Sequence, residues 1–360
     1  MIAVGAVARP VILDTDPGID DAVALMLAAV SPEIELLGIT TVAGNVGVEV
    51  TTRNALALCQ LLDLQCPVGK GAWRSLAAHG SRDAAHIHGA DGLGGWRIAD
   101  PPATAQPEAA LGLLSRLLRS AAAAGQRATI VAVGPLTNIA QLLVADAAAS
   151  DLIAEIVVMG GGDGERLGNV TPRAEFNIYT DPEAAAIVFN SGVPVTMVGL
   201  NVTELATLGA AHLPQLLAHG GPVAEGVQVM LGAYKDTPEE AGLTAQHDSL
   251  ALTAVLRPEL LTLRPAQVRV HVMPGERRGE TEVSYVAGVD AAGAAGAASA
   301  DAANTAAAAA GAGTAAGAAA GVGAAGQPGR VRVATAVDVP RFREFMAERL
   351  FAAAQRAARM

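Results

Sequence analysis

Residues 11–25 read VILDTDPGIDDAVAL, and the order of the chain follows from this stretch. The apolar run VIL has the length and β-branched content of a short buried strand, ending at Asp14. Pro17 and Gly18 form a turn pair. From Asp21 the run DAVALMLAAV has the pattern of a helix. Strand, turn and helix make the opening of a βα unit. The turn carries four aspartates, Asp14, Asp16, Asp20 and Asp21, within eight residues. Acids at a helix N-terminus are favoured by the macrodipole and the free N–H groups, which accounts for Asp20 or Asp21 but not for all four. Carboxylates converging on one point call for a cation, and oxygen-only ligands suit Ca²⁺ or Mg²⁺. The spacing is not that of an EF-hand, which needs acids at alternate positions and a distal Glu.

The unit repeats. IELLGITTVAG reads as a second strand running to Gly44, and VEVTTRNALALCQLL as a helix. CPVGKG is a short strand and turn. ATIVAVGPLTNIAQLL, EIVVMGGG and PVTMVGLNVT each carry an apolar β-rich run that stops at glycine. PRFREFMAERLFAAAQRAAR is an amphipathic C-terminal helix. This alternation predicts an α/β fold: an open, mostly parallel, Rossmann-like sheet with helices on both faces and ligands at the C-terminal edge of the strands. One domain over residues 1–360 is expected, interrupted at about 290–329 by an Ala/Gly-rich insertion too poor in large apolar side chains to offset the entropy of ordering. The flanking runs TEVSYVAGV and RVRVATAVDV read as two strands of a hairpin.

Composition narrows the function. A chain of 360 residues with 51% apolar and 16% charged residues has enough apolar surface for a substantial core. A net charge of -11 without a basic run disfavours nucleic acid as a partner, because phosphate contacts need a basic footprint. Two cysteines, Cys59 and Cys66, are no disulfide scaffold and fit a reducing compartment. No signal-peptide pattern opens the chain, and the longest uncharged stretch is Ala and Gly, too weakly apolar for a membrane span. A cytoplasmic protein without membrane contact is expected.

Other polar groups stand at predicted strand ends or in loops able to reach them. Asn45 follows TTVAG. His86 and His88 lie in HIHGADGLGG, expected to be loop. Asn169 precedes AEFNIYTDPEAA, which holds Glu175 and Asn177. His247 and Asp248 lie in AQHDSLAL, before a helix. Each alone has an ordinary explanation: a turn Asn, or a helix start with Asp181 as cap and Pro182 at the first position. The His-x-His pair has no third soft ligand nearby, which argues against zinc. A phosphatase of the haloacid-dehalogenase kind also opens with a strand and Asp-x-Asp, but Gly18 stands where that motif carries Thr or Val.

DTDPGIDDA, TTVAGN, HIHGADGLGG, GPLTNIA, VVMGGG, AEFN with DPEAA, and a late His-Asp before a helix occur in the order seen in nucleoside hydrolases. The chain resembles the inosine–uridine-preferring nucleoside hydrolase family over nearly its whole length, the insertion excepted. That resemblance implies Ca²⁺-dependent hydrolysis of the N-glycosidic bond of ribonucleosides, purine or pyrimidine, to ribose and free base. It implies Ca²⁺ held by Asp16, Asp21, Asp248 and the backbone carbonyl of Val133, with Asp16 also the general base on a Ca²⁺-bound water. The ribose falls to Asp20, Asn45, Asn169, Glu175, Asn177 and backbone near Met159. His247 matches the residue that aids the leaving base, and His88 a residue of the base pocket. Asp14 is left as support behind the site. Relatives are commonly dimers or tetramers, so a homodimer or homotetramer is the expected assembly.

The chemistry is consistent with this. Glycosidic cleavage passes through an oxocarbenium-like sugar and needs an activated water, a clamp on the ribose and help for the departing base. A non-catalytic nucleoside or ribose binder on the same fold is the alternative, and the presence of both Asp16 and His247 argues against it. Asn201 stands where the family usually has Asp, and Glu204 where it often has His. Trp73, Trp96 and Tyr234 are the rings available to stack on a base, so base preference stays open.

Overall fold

The computed structural model describes residues 7–77, 83–101, 103–233, 242–286 and 330–359. In chain order, β1 (Arg9–Thr15) leads into α1 (Ile19–Ala29), and β2 (Ile34–Thr41) into α2 (Val48–Leu61). After β3 (Val68–Lys70) come one helical turn, α3 (Ala85–His88), and α4 (Ala110–Ala123). Then β4 (Ala128–Ala132) precedes α5 (Thr137–Ala145) and α6 (Ala149–Leu152), and β5 (Ile153–Met159) precedes α7 (Phe176–Thr180) and α8 (Pro182–Phe189). β6 (Val195–Val198) is followed by α9 (Leu200–Thr203). An excursion through β7 (Thr207–Gly209), α10 (Pro214–His219), α11 (Gly221–Ala233) and β8 (Leu243–Ala245) reaches α12 (His247–Leu256). The chain closes with β9 (Leu261–Val270), β10 (Thr281–Tyr285), β11 (Val331–Val337) and α13 (Val339–Ala357).

Among the described residues, nine strands form one sheet in the order β10-β9-β11-β6-β5-β4-β1-β2-β3. From β11 to β3 every pairing is parallel, and β9 runs antiparallel to both its neighbours. The expected open, mostly parallel α/β sheet is therefore present. Alternate residues of β1 feed two cores, as the pleat requires. Val11 and Leu13 pack with α1, α2, α12 and α13, while Ile12 packs with α4, α5 and α8. After β1 the chain builds β2 and β3 to one side, then returns to place β4 on the other. That reversal leaves a crevice beyond the carboxyl ends of β1 and β4, the position where open α/β sheets bind ligands. Val133 N–H donates to the Asp14 carbonyl at 2.8 Å and Val42 N–H to the Thr15 carbonyl at 3.1 Å, so the strand ends hold a common level there.

Three local readings change. β2 stops at Thr41, because Ala43 and Gly44 turn away to bond Ala72 and Val46. The glycine-rich stretch after residue 84 begins with the turn α3 before it becomes loop. The proposed hairpin is not one: β10 and β11 lie on opposite sides of β9. β9 alternates buried and exposed residues along its length and offers both edges, so it takes a partner on each. The insertion at 290–329 and Tyr234 lie outside the described residues.

Candidate active site

The β1–α1 turn is shaped by its own aspartates. Asp21 reaches back to accept from Gly18 N–H at 2.9 Å and from Asp16 N–H at 3.1 Å, which caps α1 and starts it at Ile19. Its two oxygens also take the Thr15 hydroxyl and the Asn45 amide, the latter at 3.0 Å. Asp16 accepts from Asn45 N–H at 2.7 Å through Oδ2, while its Oδ1 is buried with no hydrogen-bond partner among the described residues. Two glycines make room for that carboxylate. A Cβ at Gly44 would overlap Oδ2, and one at Gly134 would stand 2.5 Å from Oδ1. Asp14 is fully buried below, held by Thr40 at 2.5 Å and by Asn138 of α5 at 2.8 Å.

Asp248, second residue of α12, completes the cluster. Carboxylate oxygens of Asp20, Asp21 and Asp248 lie within 4.8 Å of one another. Asp16 is outside this tightest triplet but adjacent to it, close enough for its charge to act on Asp248. Burial, then mutual repulsion, pushes Asp16 and Asp248 well above the usual carboxylate range. Burial raises Asp14 to about 7. Each ionised pair at such separations repels by about 3–4 kcal/mol at an effective dielectric near 20. The helix terminus returns only about 0.3–1 kcal/mol per acid. A proton or a cation must therefore make up the difference. The donors are all oxygen, and one of them, Asp16 Oδ1, is orphaned, so the residues fit a hard divalent cation.

Above the cluster lies a cavity of about 310 Å³. It brings together Asp20, Asn45, His88, Val133, Met159, Asn169, Glu175, Asn177, His247 and Asp248 from chain positions as far apart as residues 20 and 248. Asp16 and Asp21 lie beneath it, almost wholly buried. Glu175 caps α7, accepting from Asn177 and Ile178 N–H, and also takes Gly161 N–H at 3.0 Å. Burial raises its pKa to about 7. Three of its roughly four lone-pair directions are thus used, leaving one for a hydroxyl. Asn177 donates to the carbonyls of Val133 at 2.9 Å and Met159 at 3.1 Å, tying β4 to β5. Its amide oxygen is what it offers the cavity. Asn169 accepts from Phe176 N–H at 2.9 Å, which fixes the loop above α7.

Two histidines line the cavity, near enough for their charges to act on one another. His88 accepts from Ile19 N–H at 3.0 Å through Nδ1, so its proton stands on Nε2, and burial lowers its pKa to about 4. His247 shares a 2.8 Å hydrogen bond through Nδ1 with the Thr203 hydroxyl. Burial lowers its pKa, while the Asp20 and Glu204 carboxylates push it back up. The sequence did not point to Thr15, Thr203 or Asn138, although Thr15 lies between Asp14 and Asp16, Thr203 before Glu204 and Asn138 after Thr137. Phe176 and Ile87 of the lining were missed as well, although each sits beside a residue that was singled out. Of the expected stacking rings, Trp96 is buried in the core and Trp73 is 66% exposed beneath Arg74, and neither lines the cavity.

Known proteins show the same architecture. The family model described as inosine-uridine preferring nucleoside hydrolase matches residues 11–344. A non-specific ribonucleoside hydrolase, RihC, of Escherichia coli O1:K1 is 38% identical over 346 residues, covering 94% of this chain and 97% of its own. A purine-preferring ribonucleoside hydrolase from Gardnerella vaginalis superposes with a TM-score of 0.76 at 32% identity, over 96% of this chain and 99% of that one. A plant nucleoside hydrolase gives 0.77 at 29% identity, over 96% and 100%.

Proposed function

This chain belongs to the inosine-uridine preferring nucleoside hydrolase family, and on that premise we propose how its site works. It is an enzyme that cleaves the N-glycosidic bond of ribonucleosides. Asp16, Asp21, Asp248 and the Val133 carbonyl are the groups that would hold Ca²⁺. The observation that carries this is the orphaned Asp16 Oδ1 beside converging buried carboxylates. Bound there, Ca²⁺ would supply the positive charge that the cluster lacks, favouring deprotonation of a water and drawing in vicinal ribose hydroxyls.

The chain's own groups do the rest. Asp16 takes the proton of the attacking water through Oδ1, which no other donor occupies. Asn45 N–H holds its Oδ2 and aims it. Asp20, Asn45, Asn169, Glu175, Asn177 and the backbone at Met159 clamp the ribose, and the spare acceptor on Glu175 suits a sugar hydroxyl. His247, with Nδ1 engaged, turns its other nitrogen to the departing base, and His88 lines the base side. Asp20 stands between two roles, since its carboxylate belongs to the tight triplet and also faces His247. Asp20→Asn that raises KM without weakening metal binding assigns it to the ribose; weakened Ca²⁺ binding moves it to the cation.

A cytoplasmic setting is supported by two free cysteines and, among the described residues, by the lack of a helix long and apolar enough to cross a membrane. A homodimer or homotetramer is proposed by analogy. The metal assignment is tested by calorimetric Ca²⁺ titration of chelator-stripped protein. One strong site is expected, weakened by about tenfold or more in Asp248→Asn. Wild-type protein without such a site would overturn it.

A further inference from the structure

We propose that Thr203 is a positioning residue of the leaving-group step, its hydroxyl fixing the His247 ring so that Nε2 faces the cavity. This rests on the reading of His247 given above. Thr203 ends α9 and is fully buried. Two other buried helical threonines in this protein, Thr52 and Thr253, turn their hydroxyls to the carbonyl four residues back, at 2.6 and 2.7 Å. That is the usual habit of a helical threonine. Thr203 instead meets His247 Nδ1 at 2.8 Å, a partner 44 residues on.

The support behind this bond is rigid. α9 is pinned to the end of β5 by Leu200 N–H on the Gly161 carbonyl at 2.9 Å, and to β11 by the Asn201 amide on the Ala334 carbonyl at 2.8 Å. His247 is the first residue of α12, and the next residue, Asp248, belongs to the carboxylate cluster. A ring on that residue can still turn about its side-chain torsions, and the cavity side of the imidazole meets open space. The hydroxyl removes that freedom. In the doubly protonated ring Nδ1–H donates to the hydroxyl, and that bond is unchanged when the Nε2 proton leaves. As the glycosidic electron pair departs with the base, the Nε2 proton passes to a base nitrogen. The ring is left with its remaining proton on Nδ1, held by Thr203.

The test compares two leaving groups. Wild type, Thr203→Val, Thr203→Ser and His247→Ala are assayed as the Ca²⁺-loaded full chain. The substrates are inosine or uridine, whichever is turned over faster, and p-nitrophenyl β-D-ribofuranoside, whose phenolate leaves without a proton. His247→Ala is expected to lower kcat on the nucleoside by about 10²-fold or more. Thr203→Val should lower it by at least about tenfold, with KM within about twofold, while the nitrophenyl riboside rate holds and Thr203→Ser restores the loss. Equal losses on both substrates would mark Thr203 as merely structural and overturn the proposal. So would full nucleoside turnover by Thr203→Val alongside a crippled His247→Ala. If His247→Ala itself keeps its nucleoside turnover, the reading of His247 falls first, and the role of Thr203 falls with it. Should the Val variant fold poorly, Thr203→Ala against Thr203→Ser carries the same comparison.

Discussion

Buried carboxylates stay ionised only where something opposes them, and Asp14 shows how finely that is set. Thr40 and Asn138 both donate to its Oδ1, yet burial outweighs them and raises its pKa from 3.8 to about 7. A carboxyl whose pKa rises on folding binds its proton more tightly folded than unfolded, so its contribution is fully present at low pH and is lost as pH climbs towards the folded value. In metal-free protein, the unfolding midpoint of wild type should therefore drop relative to that of Asp14→Asn between about pH 4 and pH 7. A constant difference across that window would show that Asp14 is not held this way. The four aspartates were legible in the sequence because they are neighbours there. Asp248 was not: nothing at residue 248 signals a cation, and only resemblance linked it to residue 21. Thr203 and Asn138 left no local trace, since each acts through one side chain brought near by the fold.

Elements place these residues, and their ends matter more than their middles. Apolar runs located β1 and α1, which are buried on all sides, and periodicity located α2 and α13, each of which buries one face. It missed the partner of β10, because alternation describes a strand's faces and says nothing about which edge it meets. It also said nothing about how α13 is fastened. Arg356 of α13 donates to the carbonyls of Ala29 at 2.9 Å, Leu62 at 2.7 Å and Asp63 at 2.8 Å. Arg349 donates to Val30 at 2.9 Å. These are the unpaired carbonyls at the C-terminal ends of α1 and α2, where positive charge is favoured. Arg356→Ala should cost about 1–3 kcal/mol of stability, half-exposed as the side chain is, and lower the melting temperature by a few degrees. The kcat at room temperature should be unchanged, since the clamp sits at the opposite end of α1 from the aspartates. A fall in kcat with unchanged melting would contradict that division of labour.

The whole molecule sets a nine-stranded sheet under one cavity, and its topology shows what is dispensable. Tyr285 ends β10 and Val331 begins β11, and both pair with Ala266 from opposite sides. They are thus about two strand spacings, roughly 10 Å, apart. Nine residues reach that distance with ease at about 3.3 Å each. Deleting residues 291–326 leaves that many between the strands and should preserve turnover and melting; a large loss of either would give the insertion a structural or gating part. Hydrolysis of ribonucleosides in this cavity is proposed to depend on a cation held by its acids, with Asp16 as base. Release of reducing sugar from inosine and uridine tests it most directly, with wild type and Asp16→Asn each assayed after chelation and after Ca²⁺ is restored. Ribose should appear with Ca²⁺-loaded wild type, vanish on chelation, return with Ca²⁺, and fall by roughly 10²–10⁴-fold in Asp16→Asn with folding intact. Near-normal ribose release by Asp16→Asn, or by chelated wild type, would contradict the account.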